Sequence, residues 1–134
     1  MLEGIITGDY QQLALFLLRV VLGITFIAHG WPKITNLTGT REGFSQMGVP
    51  VPGLTSLYAA LAEFIGGILV VLGFYSGWAA LALAVNMLRA MLFVKWKQPF
   101  KGGWELDLAL FIMAVTILLA GPGAYNLASY WTWY

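Results

Sequence analysis

Residues 54–74 read LTSLYAALAEFIGGILVVLGF, an apolar run in which Glu63 is the single charged side chain. A membrane-spanning helix needs roughly 20 predominantly apolar residues to cross about 30 Å of hydrocarbon. The run has this length, and it lacks the strict alternation of polar and apolar residues that marks a barrel strand. It therefore predicts a helix that crosses a membrane and carries one acid near its middle.

Three further apolar runs accompany this segment, at residues 13–30, 78–94 and 104–120. Each is too long for a barrel strand and none alternates strictly. The first ten residues contain Glu3 and Asp9 but no basic residue, so they do not resemble a secretory signal, and we expect the first run to remain as a span. The sequence predicts one domain over residues 1–134, an all-α bundle of four transmembrane helices.

The composition excludes several other classes of protein. Of the 134 residues, 60% are hydrophobic and 10% are charged, whereas soluble domains have about 45–50% apolar and about 25% charged residues. A typical soluble domain, a disordered chain and a coiled coil are therefore excluded. The net charge of +1 and the lack of a basic run argue against a nucleic-acid partner. The chain has no cysteine, which excludes disulfides and thiol chemistry.

The loops between the predicted helices differ in charge. The first loop (31–53, rich in turn-forming residues) and the third loop (95–103) contain all five loop lysines and arginines, and the second loop and both ends contain none. Because basic residues in short loops stay on the cytoplasmic side, we expect these two loops in the cytoplasm, both termini outside, and the chain in the cell membrane. The aromatic tail, residues 130–134, is expected at the outer interface. The five basic residues are Lys33, Arg41, Lys95, Lys97 and Lys101.

Polar side chains near the predicted midplane are candidates for function. At 1.5 Å of rise per residue, Arg19, Glu63 and Asn86 fall near the middle of the first three spans, and Arg89 lies about one turn from Asn86. Charged residues inside a membrane mark either function or internal pairing. We predict a polar centre in which Arg19 and Arg89 favour the ionised form of Glu63. These three residues are the candidate catalytic groups, and Asn86 is a candidate substrate-binding residue. The alternative is a structural ion pair that sets the helix register.

A second polar group is predicted near the cytoplasmic ends of the spans. His29 and Lys33 are four residues apart and share a helical face. Tyr58 and Glu105 fall at a similar depth, and histidine changes charge near neutral pH. We expect His29 to exchange protons as a catalytic group, and Lys33, Tyr58 and Glu105 to bind substrate. Asp107 points away from Glu105 on a helical wheel and is a weaker candidate. The alternative is that His29 and Lys33 only reach toward the interface.

Other kinds of site have little support in the sequence. One histidine, no cysteine and scattered carboxylates make no zinc or haem set, and neither a phosphate loop nor a nucleophile elbow occurs. We therefore predict no metal and no covalent cofactor, and a quinone is the candidate ligand. The pair Gly66-Gly67, which follows Ala59, Ala60 and Ala62, predicts a face where another helix packs closely.

Several segments, in order along about the whole chain, resemble the DoxX family. They are Arg19-x-x-x-Gly23-x-x-Phe26-x-x-His29-Gly30-x-x-Lys33, Met47-Gly48-Val-Pro50, Glu63-Phe-Ile-Gly66-Gly67-Ile-Leu-Val-Val-Leu-Gly73, Glu105, Gly121-Pro122-Gly123 and Asn126-Leu127. The resemblance implies an integral membrane protein of four helices that is linked with redox chemistry. Family members include oxidoreductase-associated membrane subunits, one of them the small subunit of a thiosulfate:quinone oxidoreductase. Others accompany responses to catechols, quinones and oxidative stress.

The resemblance and the polar residues together predict a membrane subunit of a redox system that handles a quinone or a sulfur oxyanion. The expected partners are the lipid bilayer, an oxidoreductase subunit that supplies electrons, and a second copy of the chain. One alternative is a non-enzymatic scaffold or assembly factor. A third possibility is a small proton-coupled transporter with Glu63 as its proton site, although four spans are few for alternating access.

Overall fold

The structure, a computed structural model, describes residues 2–125, with side chains from Gly8 onward. The Asn126-Leu127 turn and the aromatic tail that the sequence analysis singled out lie outside the described residues. Residues 2–125 form helices and connecting turns, which confirms the all-α class. Four helices are long and apolar enough to cross a membrane, and they are Gly8–Thr35, Pro52–Leu72, Ser76–Val94 and Phe100–Ala120.

The helices follow one another with short connections. They are α1 (Leu2–Thr35), α2 (Leu37–Gln46), α3 (Pro52–Leu72), α4 (Ser76–Arg89) and α5 (Glu105–Ala120). A π-helical turn, Ala90–Val94, extends α4 without a break, and a kinked turn, Phe100–Trp104, precedes α5. The polypeptide therefore crosses the bundle four times, and α2 is an additional short helix between the first two crossings.

The first crossing is longer than the apolar run predicted. α1 continues past residue 30, through Pro32, and ends at Thr35. Asn36 then leaves the helical conformation, and its side chain accepts a hydrogen bond from the backbone nitrogen of Gly39 at 3.0 Å. This is an N-cap, which satisfies one of the unpaired donors of a helix start. The turn-rich loop predicted at residues 31–53 thus begins with the last turn of α1 and then contains α2.

The crossings pack in the order α1, α3, α4, α5. α1 lies along α3, α3 along α4 and α4 along α5, whereas α1 and α5 touch each other over a much smaller region. The shared core is apolar and includes Leu22, Phe26, Val70, Leu83 and Ile117. Large apolar side chains on the outer faces remain exposed, as lipid contact requires for a helix that spans a membrane.

Glycines set the distance between α1 and α3. A Cβ atom at Gly30 would lie 2.5 Å from a backbone nitrogen of α3, and one at Gly67 would lie 2.8 Å from the carbonyl oxygen of Gly23. A Cβ at Gly66 would instead lie 3.3 Å from Leu83 on α4. The close-packing face predicted at Gly66-Gly67 is confirmed. Gly66 packs against α4, and Gly67 packs against α1. This crossing also brings the end of α1 level with the middle of α3.

Candidate functional site

A cavity of about 250 Å³ lies at the end of the bundle that contains α2, which we call the α2 end. All four crossings contribute to its walls, together with α2 and the residues that follow it. Eleven of its eighteen lining residues are apolar, among them Phe26, Phe44 and Phe93. The polar lining residues are His29, Lys33, Glu63, Asn86, Arg89, Lys95 and Asp107. The cavity is thus an apolar space with a dense set of charged groups on its walls.

Glu63 is the central acid of the cavity and is 2% exposed. The Nζ atom of Lys33 lies 2.6 Å from each of its two carboxylate oxygens. The side-chain amide of Asn86 donates a hydrogen bond of 2.8 Å to Oε1. Hydrogen bonds between ionised groups are shorter and stronger than neutral ones, and Glu63 accepts its hydrogen bonds from an ammonium group and an amide.

Arg89 adjoins this acid through Asn86. Its Nη2 atom donates to Oδ1 of Asn86 at 2.9 Å and to the carbonyl oxygen of Thr55 at 3.3 Å. The guanidinium carbon lies 5.1 Å from the centre of the Tyr58 ring, within the range of a cation–π contact. Tyr58 in turn donates its hydroxyl proton to the carbonyl oxygen of Ala82 at 2.8 Å. Tyr58 therefore supports Arg89 and is not itself among the residues that line the cavity.

The structure does not bring Arg19 to Glu63. Nε of Arg19 donates to the carbonyl oxygen of Val70 at 2.9 Å, and Nη2 donates to those of Val71 at 3.2 Å and Tyr125 at 2.7 Å. Nη1 donates to the carbonyl oxygen of Pro122. These acceptors lie at the C-terminal end of α3 and just beyond α5, where helix dipoles are negative. The predicted placement of Arg19 in the polar centre is corrected to a role in holding helix ends together.

Lys33 occupies the place that the sequence analysis assigned to Arg19. The two residues are 14 positions apart in α1, which is about 21 Å along a helix axis. The prediction aligned the middle of a span that ended at residue 30 with the middle of α3. Because α1 continues to Thr35 and crosses α3 at Gly30, the level of Glu63 corresponds to the last turns of α1.

The second predicted group is also divided by the structure. His29 lines the cavity with its side chain exposed at the edge. Glu105 is exposed and accepts a hydrogen bond of 2.9 Å from the backbone nitrogen of Gly102 at the start of α5. Asp107, which is 5% exposed, lines the cavity instead, and its Oδ2 lies 2.9 Å from Nζ of Lys95. The helical wheel separated the two acids correctly, but it did not show which of them faces inward.

The lining groups of the cavity combine charged donors with apolar surface. Among residues 2–125, no group of three histidine, aspartate or glutamate side chains could hold a metal ion. The walls supply ammonium and guanidinium donors, two carboxylates and an imidazole next to apolar volume. Such a site can hold an apolar body, orient its oxygen atoms, and exchange protons with them.

The chain matches a known family over most of this region. The family model described as DoxX matches residues 14–96. The chain belongs to the DoxX family. The matched residues include the polar lining residues of the cavity except Asp107, so this DoxX protein shares the greater part of its site with the region that defines the family.

Two relatives of this DoxX protein match over most of their length. The "Putative oxidoreductase CatD" of Bacillus subtilis (strain 168) is 33% identical over 110 residues, which cover 82% of this chain and 81% of CatD. The "Inner membrane protein YqjF" of Escherichia coli (strain K12) is 34% identical over 125 residues, which cover 87% of this chain and 91% of YqjF. No solved structure matches the chain. The relatives and the four apolar helices together show a multi-pass membrane protein.

Proposed function

We propose that this DoxX protein is a membrane subunit of a redox system and that its cavity binds the ring of a quinone or hydroquinone. The observation that carries the proposal is the cavity, in which cationic donors and a carboxylate adjoin a mostly apolar wall. An apolar cavity of about 150 Å³ holds a benzene-sized molecule, so a cavity of about 250 Å³ admits one substituted ring. The name of the relative CatD supports a redox role.

The polar groups suit the two oxygen atoms of such a ring. Lys33 and Arg89 donate hydrogen bonds to a quinone carbonyl, and Asn86 holds Glu63 and Arg89 in a fixed relation. Reduction of a quinone adds two electrons and two protons. His29, at the exposed edge of the cavity, exchanges protons between water and the ring oxygens, and Glu63 holds Lys33 in place. The electrons come from a partner oxidoreductase subunit.

The apolar wall favours a quinone over a sulfur oxyanion. A sulfur oxyanion is small and strongly hydrated, and it has no carbon surface to place against phenylalanine and leucine side chains. Burial of apolar surface contributes about 25 cal/mol per Å², and a ring gains this contribution while an oxyanion does not. The eleven apolar lining residues therefore support the ring as the ligand.

Lipid extraction from the purified protein tests the proposal. We expect mass spectrometry to find a quinone that copurifies with the wild type in mild detergent. Ala90 is half-buried and lines the cavity, so Ala90→Phe should fill the space and strongly reduce the quinone content. Ala28→Phe is the matched control, because Ala28 is exposed on the outside of α1. An equal quinone content in both variants, or none in the wild type, would contradict the proposal.

A scaffold without enzymatic activity is the second candidate function. It is favoured by the complete pairing of Glu63, whose two oxygens are both bonded to Lys33, with Asn86 as a further donor. Buried ion pairs of this kind can serve to fix helix register. A wild-type protein that carries no quinone but still assembles with a partner subunit would support this candidate.

A further inference from the structure

The charges around the cavity do not balance. Lys33 pairs with Glu63 at 2.6 Å, and Lys95 pairs with Asp107 at 2.9 Å. The hydrogen bonds of Arg89 go to an amide oxygen and a backbone carbonyl, both of them neutral. Within the described part of the chain, the lining residues thus contain two ion pairs and one guanidinium that has no carboxylate of its own.

Arg89 is also held in position for a ligand. The Tyr58 ring lies against its guanidinium, and the bonds from Nη2 to Asn86 and Thr55 fix its orientation. Nη1 and Nε have no hydrogen-bond partner among residues 2–125. Arg89 lies in the last turn of α4, but the π-helical turn Ala90–Val94 continues the helix, so the negative end of the helix dipole lies beyond Arg89 and offsets little of its charge. Most of its charge and several of its donors therefore remain available.

We propose that the cavity binds its ring-bearing ligand as a monoanion, with Arg89 as the counter-charge. The ligand class is a single aromatic ring with one phenolate or carboxylate group, and for a hydroquinone it is the singly deprotonated form. This inference rests on the proposed function, because it concerns the same ring and the same cavity. One negative charge matches the one unpaired cation, whereas a neutral ring leaves Arg89 unpaired in a medium of low dielectric constant.

The apolar wall indicates that the ligand has a ring as well as a charge. A small inorganic anion satisfies Arg89 but leaves the side chains of Phe26, Phe44 and Phe93 without contact. A ring with one charge uses both the guanidinium and the apolar wall. The start of α5, which contributes Leu106 and Asp107 to the lining, adds the positive end of a helix dipole, which also favours an anion.

A matched pair of probes measures the preference for charge. The probes are 4-methylbenzoate and 4-methylbenzamide, which have the same ring and nearly the same size and differ by one charge. Binding of each to the full chain in mild detergent is measured by calorimetry at one alkaline pH. We expect the benzoate to bind at least about tenfold more tightly, which corresponds to one hydrogen bond to a charged group. Equal affinities would overturn the inference.

Variants of Arg89 assign the preference to this residue. Arg89→Gln should reduce the affinity ratio of the two probes to near one, and Arg89→Lys, which retains the charge, should keep the benzoate favoured. Lys97→Gln is the control, because Lys97 lies against the Trp96 ring and does not line the cavity. If Arg89→Gln does not fold, the Arg89→Lys and Lys97→Gln variants and the wild type still give the ratio. A ratio that Arg89→Gln leaves unchanged would contradict the assignment.

Two further measurements separate this inference from the proposed function. Quinone that copurifies with a protein whose probe ratio is one supports the proposed function and overturns the inference. A probe ratio well above one in a protein that carries no quinone supports the inference and overturns the proposed function. Inorganic thiosulfate is tested as a competitor of the benzoate. If thiosulfate binds in its place with the same affinity as the benzoate, the ring is not recognised and the inference is overturned.

Discussion

Arg19 is 1% exposed, and within the described residues its hydrogen-bond partners are backbone carbonyls rather than an acid. A buried charge is costly unless its donors are satisfied. Four carbonyl oxygens at the ends of two helices satisfy the guanidinium, and the negative helix ends stabilise its charge. Arg19 therefore has a structural role, because its donors are bonded to backbone carbonyls, whereas the half-buried Arg89 lines the cavity.

Replacement of Arg19 by lysine tests this structural role. An ammonium group cannot reach carbonyls on both sides as a planar guanidinium does. We expect Arg19→Lys to lower the free energy of unfolding by about 1–3 kcal/mol, the cost of buried acceptors left without donors. Thermal unfolding in detergent gives the loss, and the benzoate-to-benzamide ratio should not change because Arg19 is far from the cavity. Unchanged stability combined with a changed benzoate-to-benzamide ratio would show that Arg19 belongs to the ligand site.

The pair of Glu63 and Lys33 makes a second prediction at this scale. Breaking a buried pair costs about 3–5 kcal/mol, and Lys33 is 28% exposed, so its ammonium group can partly turn to solvent. We expect Glu63→Ala to lower the free energy of unfolding by an amount near the lower end of that range. Glu63→Gln should lower it less, since the amide still accepts hydrogen bonds. The double variant Glu63→Ala with Lys33→Met should recover part of the loss.

The control for this pair is Glu42→Ala, which removes an exposed acid on α2 and should leave the stability nearly unchanged. Stability is followed by thermal unfolding in the same detergent for each variant. Additive losses in the double variant would show that the two side chains do not interact.

The sequence predicts some members of the site correctly and others incorrectly, for an identifiable reason. Glu63, Asn86 and Arg89 were placed together correctly, and hydrogen bonds link them. The short connection between α3 and α4 makes this possible, because both helices are measured from the same turn. α1 precedes a long connection and α5 follows one, so the predicted depth of each depends on where an apolar run ends. Arg19 was consequently predicted at the level where Lys33 lies, although Lys33 itself was predicted in the second polar group, and Glu105 was preferred to Asp107.

At the scale of elements, the contact between α1 and α3 depends on glycines more than on large side chains. The length of the apolar runs predicted all four crossings, and small residues predicted a close approach. The extent of α1 beyond Pro32 and the presence of α2 were not predicted. Turn-forming residues such as Asn36 and Gly39 mark loops and also cap helices, so residue types alone do not separate these two outcomes.

An alanine at Gly30 tests the glycine contact. A Cβ there would lie 2.5 Å from a backbone nitrogen of α3, which cannot move without the helix. We expect Gly30→Ala to reduce the free energy of unfolding by about 1–3 kcal/mol, as overpacking does in other cores. Gly43→Ala on α2 is the control, since nothing lies within 4 Å of its Cβ position. It should stabilise by up to about 1 kcal/mol, and equal effects of the two changes would contradict a tight crossing.

At the scale of the whole molecule, the cavity lies at one end of the bundle and the carbonyl acceptors of Arg19 lie at the other. The α2 end also contains Lys95, Lys97 and Lys101, and the excess of basic residues in its loops predicts that it faces the cytoplasm. In that orientation the cavity adjoins the cytoplasmic interface, and His29 lies on the cytoplasmic side of the bundle.

Cysteine labelling tests this orientation without background labelling of native cysteines, because the chain contains none. Ser45→Cys, exposed on α2, should resist a membrane-impermeant reagent applied to intact cells and should label after the cells are opened. Asp9→Cys and Tyr75→Cys, both exposed near the opposite end, should label in intact cells. The reverse pattern would invert the topology and place the cavity at the outer surface.

The hydrogen bond between Arg19 and Pro122 joins residues that are 103 positions apart. A ribosome that adds about 5–20 residues per second needs roughly 5–20 s to synthesise that interval. During this time α1 is already in the bilayer, and its guanidinium can use the carbonyls of α3 but not those that follow α5. A chain truncated before residue 122 should therefore be less stable than the full chain, because it lacks two of the four carbonyl acceptors of Arg19.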